Sequence, residues 1–287
     1  MNSIIEKLQK FIKQTDGDKS SHWKKHLENQ DYRNIYSFMG FGNFLRKNLF
    51  KAPFHKIFLK YLFEDFIFKT DEFEAYKEVY DKMNRQIDVD AVRHVYTFNL
   101  LNKYKSPKKL CVIGDGKANF TLGSIKLWSS SQIFSINLAE TLINDYLILK
   151  KSNLVNDEQI QVIENLNDQI DENKKIVLIP SSLKKILIGK KIDLFVNLVS
   201  FQEMTSKEID NYFEIIKENK SLLYTCNREY KKLYGGEELI FKNYPWGNGK
   251  KIFYENCFWH QKFYTFKPPF IKKYDGNIMH CLIDYSV

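Results

Sequence analysis

The chain has 287 residues, 44% hydrophobic and 15% aromatic, enough to bury a sizeable core in one large domain or two modest ones. With 28% charged residues and only four widely spaced cysteines, a disordered chain, a collagen-like repeat and a disulfide-stapled miniprotein are excluded. The net charge of +9 is local: residues 1–60 carry 12 basic and 5 acidic side chains, which reads as a solvated lysine face or as contact with an anionic membrane or substrate. Only five of the 44 basic residues are Arg, which argues against a nucleic-acid reader.

The N-terminus shows no apolar signal region, and the most hydrophobic stretch, Ile57–Phe68, is broken by Lys60, Glu64 and Asp65. No transmembrane segment or secretory signal is therefore expected. The chain reads as cytoplasmic, its cysteines as reduced and mostly buried, with no suggestion of zinc.

In chain order, Ile4, Ile5, Leu8, Phe11 and Ile12 recur at helical spacing, and Asp16-Gly17-Asp18 ends that helix. Further helical patterns run near His22–Asn29, Ile57–Phe68, Phe73–Met83 and Asp90–Tyr104, and Phe38–Phe50 reads as a glycine-containing loop leading into a helix. Residues 1–105 thus form a helical N-terminal region. The texture changes at Lys105-Ser106-Pro107, which sets a second region over residues 106–287. There, expected strands at Lys109–Ile113, Gln132–Asn137, Ile176–Ile179, Leu194–Val199 and Ser221–Cys226 alternate with helices over Ala118–Trp128, Ala139–Lys151 and Lys207–Asn219. Residues 228–252 carry no clear period. Phe258–Phe266 and Ile278–Asp284 read as an antiparallel pair at the sheet edge. Five parallel strands closed by an antiparallel pair is an α/β, Rossmann-like layout, that of the class I methyltransferase fold.

Three segments carry candidate chemistry. Ile113-Gly114-Asp115-Gly116 follows the first strand and opens a helix. Its glycines can take backbone angles closed to other residues and let a ligand approach the main chain. It is not the GxGxxG dinucleotide fingerprint, because position 119 is Asn. Asn137 and Leu138 end the second strand, where a polar residue can bond a ribose hydroxyl or cap the next helix. Ser200, Phe201, Gln202 and Glu203 follow the fourth strand, at the expected cleft, and Thr205 and Glu208 are spaced as a capping box. Glu203 is the first candidate general base and His260 the second. His22 and His26 are spaced for a metal on a helix, yet read more simply as surface histidines. A need for a divalent metal is unknown, since no ligand cluster is legible. Aromatic residues after 228, Tyr244 and Trp246 among them, could meet the apolar face of a sugar, and Arg228 could meet a phosphate.

IGDG at 113–116, FQEM at 201–204, Cys226-Asn227-Arg228-Glu229 and Asn243-Tyr244-Pro245-Trp246 together resemble the sugar O-methyltransferases of bacterial surface-polysaccharide gene clusters. The resemblance implies a class I fold, S-adenosylmethionine as donor and a sugar, nucleotide-sugar or glycan hydroxyl as acceptor. It further implies that Gly114, Asp115 and Gly116 line the methionine side of the donor, that Asn137 and Leu138 face its ribose and adenine, and that Ser200–Glu203 border the cleft. Two positions that are acidic in many methyltransferases are not acidic here: the first strand carries Cys111 and Val112, and the second ends in Asn137. That departure motivates an alternative, a catalytically degenerate fold acting as a binding or scaffold protein. A methyltransferase for RNA or another acceptor is the remaining reading.

Overall fold

A computed structural model describes residues 3–28, 30–38, 47–48, 52–104 and 106–287. The expected loop over Phe38–Phe50 lies largely outside them. The helical region supplies α1 (Ser3–Gln9), α2 (Ser21–Leu27), α3 (Ala52–Leu62), α4 (Asp71–Lys82) and α5 (Val89–Leu101). Their starts follow from local chemistry. Thr70 accepts the Phe73 amide and Asp88 the Ala91 amide, each satisfying a first-turn N–H that has no partner within the helix. Helix α5 is buried along most of its length and packs against α4 and α6.

From residue 109 the chain forms β1 (Lys109–Ile113), α6 (Asn119–Leu127), β2 (Gln132–Asn137), α7 (Ala139–Ser152), β3 (Ile160–Val162), β4 (Ile176–Pro180), β5 (Leu194–Leu198), α8 (Ser206–Glu218) and β6 (Leu222–Arg228). The chain continues through β7 (Tyr230–Lys232), β8 (Glu238–Ile240), β9 (Lys250–Asn256), β10 (Lys262–Tyr264), β11 (Ile271–Lys273) and β12 (Ile278–Asp284). The main sheet runs β3-β4-β2-β1-β5-β6-β12-β9. All its pairings are parallel up to β6, and β12 is antiparallel to both β6 and β9. The fold is therefore α/β and Rossmann-like, and the order reverses beside β1, where open sheets of this kind leave a crevice at the strand ends.

Two expectations need correction. The antiparallel pair is not Phe258–Phe266 with Ile278–Asp284. The partner of β12 is Lys250–Asn256, and residues 262–264 instead form a small hairpin with β11. Strand β9 hid because its burial does not alternate: it is an edge strand with one face largely wet. Strand β3 was also unexpected, being three residues long.

Both faces of the sheet are covered. Leu110 and Val112 belong to one apolar cluster, shared with α4, α5 and α6, whereas Cys111 and Ile113 belong to another, shared with α8. This alternation within a fully apolar strand marks burial on both sides. All four cysteines are buried and free. Helix α6 approaches α4 closely at Gly123, where an added Cβ would overlap the buried Tyr76 ring. Among the described residues no helix is long and apolar enough to cross a membrane.

Candidate active site

The turn after β1 is held on both sides. Gly114 takes φ +71 and donates its N–H to the Ile136 carbonyl at 2.9 Å. A Cβ there would overlap the Ser200 side chain, so the turn needs glycine for both its angle and its clearance. The left-handed residues that follow are Lys117 and Ala118, at φ 59 and 49, rather than Gly116.

These strand ends floor a cleft of about 290 Å³. Gly114, Gly116, Asn137 and Ser200 belong to the sheet side, joined by Thr141 of α7 and by Glu203. The helical region supplies the opposite wall through His22, Trp23 and His26 of α2 and Asp90 of α5, and Tyr274 closes it after β11. Helix α2 is pinned there. The Ser20 hydroxyl donates to the Glu203 carbonyl, and Lys19 pairs with Glu140 at 2.7 Å, both side chains nearly buried.

Among the described residues two acidic groups line the cleft: Asp90, which pairs with Arg93 at 2.7 Å, and Glu203. The Glu203 side chain remains 26% exposed, and its Oε1 lies 3.5 Å from His22 Nε2. Burial raises its carboxyl to about 7, against the lowering charges of Lys231 and Arg228. His22 moves the opposite way, to about 4, through burial and the charges of His26 and Lys231. Near neutrality the imidazole is thus neutral while the carboxyl exchanges its proton, the condition a general base requires. The rings of His22 and His26 stand 4.2 Å apart, with Tyr234 stacked on His22. The two histidines therefore belong to the cleft wall, not to a solvated surface.

A second ionisable group sits behind the turn. Asp115 does not line the cleft: its carboxylate accepts the Phe120 and Thr121 amides at 3.0 and 2.7 Å and caps α6. Burial raises it to about 6, offset by those hydrogen bonds. Asp145 accepts the Ala118 amide at 2.8 Å, and burial, reinforced by the charge of Asp115, lifts it well above the ordinary carboxylate range. Burial lowers Lys117 to about 8. Asn119, where a dinucleotide fingerprint would carry glycine, is fully buried and accepts from Tyr80 and Arg85 of the helical region, at 3.1 and 2.7 Å.

The remaining expected site residues divide. Asn137 borders the cleft, but its amide donates to the Asp115 carbonyl and to Asp145, each at 3.4 Å, and its oxygen accepts the Leu138 amide. Leu138 borders a smaller hollow with Trp23, Met204 and Tyr212. Phe201 is fully buried in an aromatic cluster with Phe213 and Tyr244. Gln202 accepts the Arg228 amide at 2.8 Å and braces the β6 end. Arg228 donates to the Asp275 carbonyl, and its guanidinium lies 5.5 Å from the Tyr274 ring.

Tyr244 and Trp246 do not face the cleft. They pack with Phe241 and Phe213 on the α8 side of the sheet, because residues 241–246 bury apolar area there. His260 is likewise outside the cleft-lining residues. It is buried beside Cys226 and Cys257, with the three candidate donor atoms within 4.8 Å of one another. No fourth His, Cys, Asp or Glu joins that trio among the described residues, and burial together with the Arg93 charge holds His260 well below its ordinary range. The expected capping box is half present: Thr205 accepts the Glu208 amide, while the Glu208 carboxylate pairs with Lys184 at 2.8 Å.

No family model and no curated protein matches the sequence. Several of the solved structures that resemble it are named as methyltransferases. The methyltransferase domain of bacterial CtHen1 is 13% identical, with 68% of this chain and 98% of that one covered and a TM-score of 0.41. A SAM-dependent methyltransferase from Aquifex aeolicus is 11% identical, covering 64% and 87% at a TM-score of 0.38. A mutant of MtNAS in complex with S-adenosylmethionine is 8% identical, covering 99% and 98% at a TM-score of 0.40.

Residues that sequence reasoning missed are Trp23, Asp90, Thr141 and Tyr274. Helical periodicity shows that a residue faces something, and only the packing of α2 and α5 against the strand ends shows what. One signal was available: Ser20 before a helical run, the pattern of an N-cap, places His22, Trp23 and His26 in the same two turns.

Proposed function

We propose that the chain is an S-adenosylmethionine-dependent O-methyltransferase acting on a sugar or sugar-conjugate hydroxyl, with Glu203 as general base. The observation that carries this reading is a carboxyl raised to about 7 that lies in the same cleft as the glycine turn. The donor fits the residues on separate ground. Thr141 Oγ1, on the cleft wall, and the neighbouring Glu140 Oε2 are buried without a hydrogen-bond partner among the described residues, which suits a ribose diol at the end of β2.

When bound, the donor supplies an already activated methyl group. What the protein then has to do is hold and deprotonate a weakly acidic hydroxyl. Glu203 takes that proton, and neutral His22 orients the carboxylate from 3.5 Å. Trp23 and Tyr274 offer flat apolar surface to the C–H face of a sugar, the role expected of Tyr244 and Trp246. Arg228 and Lys231, whose charges act on Glu203, favour an acceptor with a phosphate or carboxylate.

The scaffold alternative draws on two observations. Asn137 is already engaged, and the Lys19–Glu140 pair ties the helical region across the end of β2. Isothermal titration with S-adenosylhomocysteine separates the two readings. Saturable binding is expected, and silence at high protein concentration would favour the scaffold. Incubation with candidate nucleotide sugars and the donor, read by mass spectrometry as gain of one methyl for one hydrogen, then identifies the acceptor.

A further inference from the structure

We propose that α3 and the β10–β11 hairpin form one face that docks on an anionic lipid surface. This is independent of the methyl-transfer reading. Helix α3 turns His55 and Leu59 inward, yet Phe54, Ile57 and Tyr61, at spacings of three and four, stand outward at 58%, 62% and 77% exposure. Phe58 joins this stripe to the hairpin, packing against Tyr264, Phe266 and Phe270. Phe266 and Phe270, beyond it, are themselves 49% and 48% exposed. Isolated exposed apolar residues are ordinary, but a contiguous aromatic stripe marks a contact surface.

Charge identifies the occupant. Helix α3 contains two lysines, three aromatics and no acidic side chain, and residues 256–274 contain four lysines and no acid. On α3, Lys56 and Lys60 flank the apolar stripe, and Lys267, Lys272 and Lys273 are exposed around the hairpin. Aromatic and aliphatic groups edged by lysines suit the boundary between acyl chains and anionic headgroups. A second copy of this chain is the poorer occupant, because a two-fold contact would set these same lysines against one another. Tyr274, which lines the cleft, follows β11 at the base of the hairpin, at the end away from Phe266 and Phe270.

Flotation of the full chain with phosphatidylcholine vesicles, with and without a third of phosphatidylglycerol, tests this. Recovery with the anionic vesicles only, falling as salt rises, is expected. The joint variant Phe54→Ser, Ile57→Ser, Tyr61→Ser should lower the partition coefficient about tenfold or more, since each side chain contributes apolar contact. Lys267→Glu, Lys272→Glu and Lys273→Glu together, away from the helix, should weaken it similarly if the apolar variant fails to fold by circular dichroism. Equal recovery with both vesicle types, no recovery with either, or a solution dimer dispersed by the apolar variant would overturn the proposal.

Discussion

The cleft and the buried cluster behind its glycine turn both hold carboxyls pushed above their ordinary range, yet they differ in what they can reach. Glu203 keeps a quarter of its side chain open beside His22, whereas Asp115 and Asp145 spend their oxygens on the Phe120, Thr121 and Ala118 amides. Burial perturbs all three, so a shifted proton affinity does not by itself mark a catalytic group. Reach is what separates them: only Glu203 combines the shift with an open face toward the cleft.

The sharpest way to break this contrast is Glu203→Gln. Turnover should fall by about 10²–10⁴-fold, the usual worth of a positioned base, with S-adenosylhomocysteine affinity nearly unchanged by titration. In the parent protein, kcat/KM should rise with pH through about 7 and level off above it, because the base works only when ionised. The variant should lack that limb. Full turnover in Glu203→Gln would remove the residue as base.

Next in size is the seam between the helical region and the sheet region. Gly123→Ala places a methyl on the buried Tyr76 ring and should cost about 1–3 kcal/mol by urea unfolding, as overpacking does. A neutral result would mean that α4 and α6 pack less tightly than described.

Asp115→Asn probes the buried cluster behind the turn. One amide of the α6 first turn loses its acceptor, a loss of about 1–2 kcal/mol. Its pH dependence runs opposite to that of a salt-bridged carboxylate. The folded carboxyl titrates at about 6, above the unfolded value, so the parent loses stability from this group as pH rises through that window. The penalty of the substitution should therefore be larger at pH 4 than at pH 7, with about 3.9 as the unfolded reference. Unfolding curves at the two values check the sign.

The smallest effect is expected at Tyr244→Phe. Its hydroxyl is buried without a partner among the described residues, so removing it should shift stability by less than about 0.5 kcal/mol and leave turnover intact. A large rise in acceptor KM would return Tyr244 to the site.

The strands on either side of the glycine turn were legible because each is a short apolar run ended by a polar or glycine signal. The same logic placed Glu203, since a carboxylate just after the fourth apolar run has few places to go but the strand ends. Tyr244 and Trp246 pack away from the cleft, and the sequence could not show it: aromatic residues serve a core and a sugar site equally well, and composition cannot separate the two. The burial of His260 was not legible, because a titratable side chain in an irregular stretch looks accessible until its neighbours are known.

What the linear order of residues decided was the sheet from β1 to β6 and the turn at 113–116, since these depend on local periodicity and on the angles open to glycine. What only the folded arrangement decided was the far wall of the cleft. His22, Trp23 and Tyr274 lie at opposite ends of the chain, and no local rule relates them. They meet because Ser20 and Lys19 tie the start of α2 to Glu203 and Glu140, while Arg93 of α5 donates to Lys262 and Tyr274 at the base of the β10–β11 hairpin.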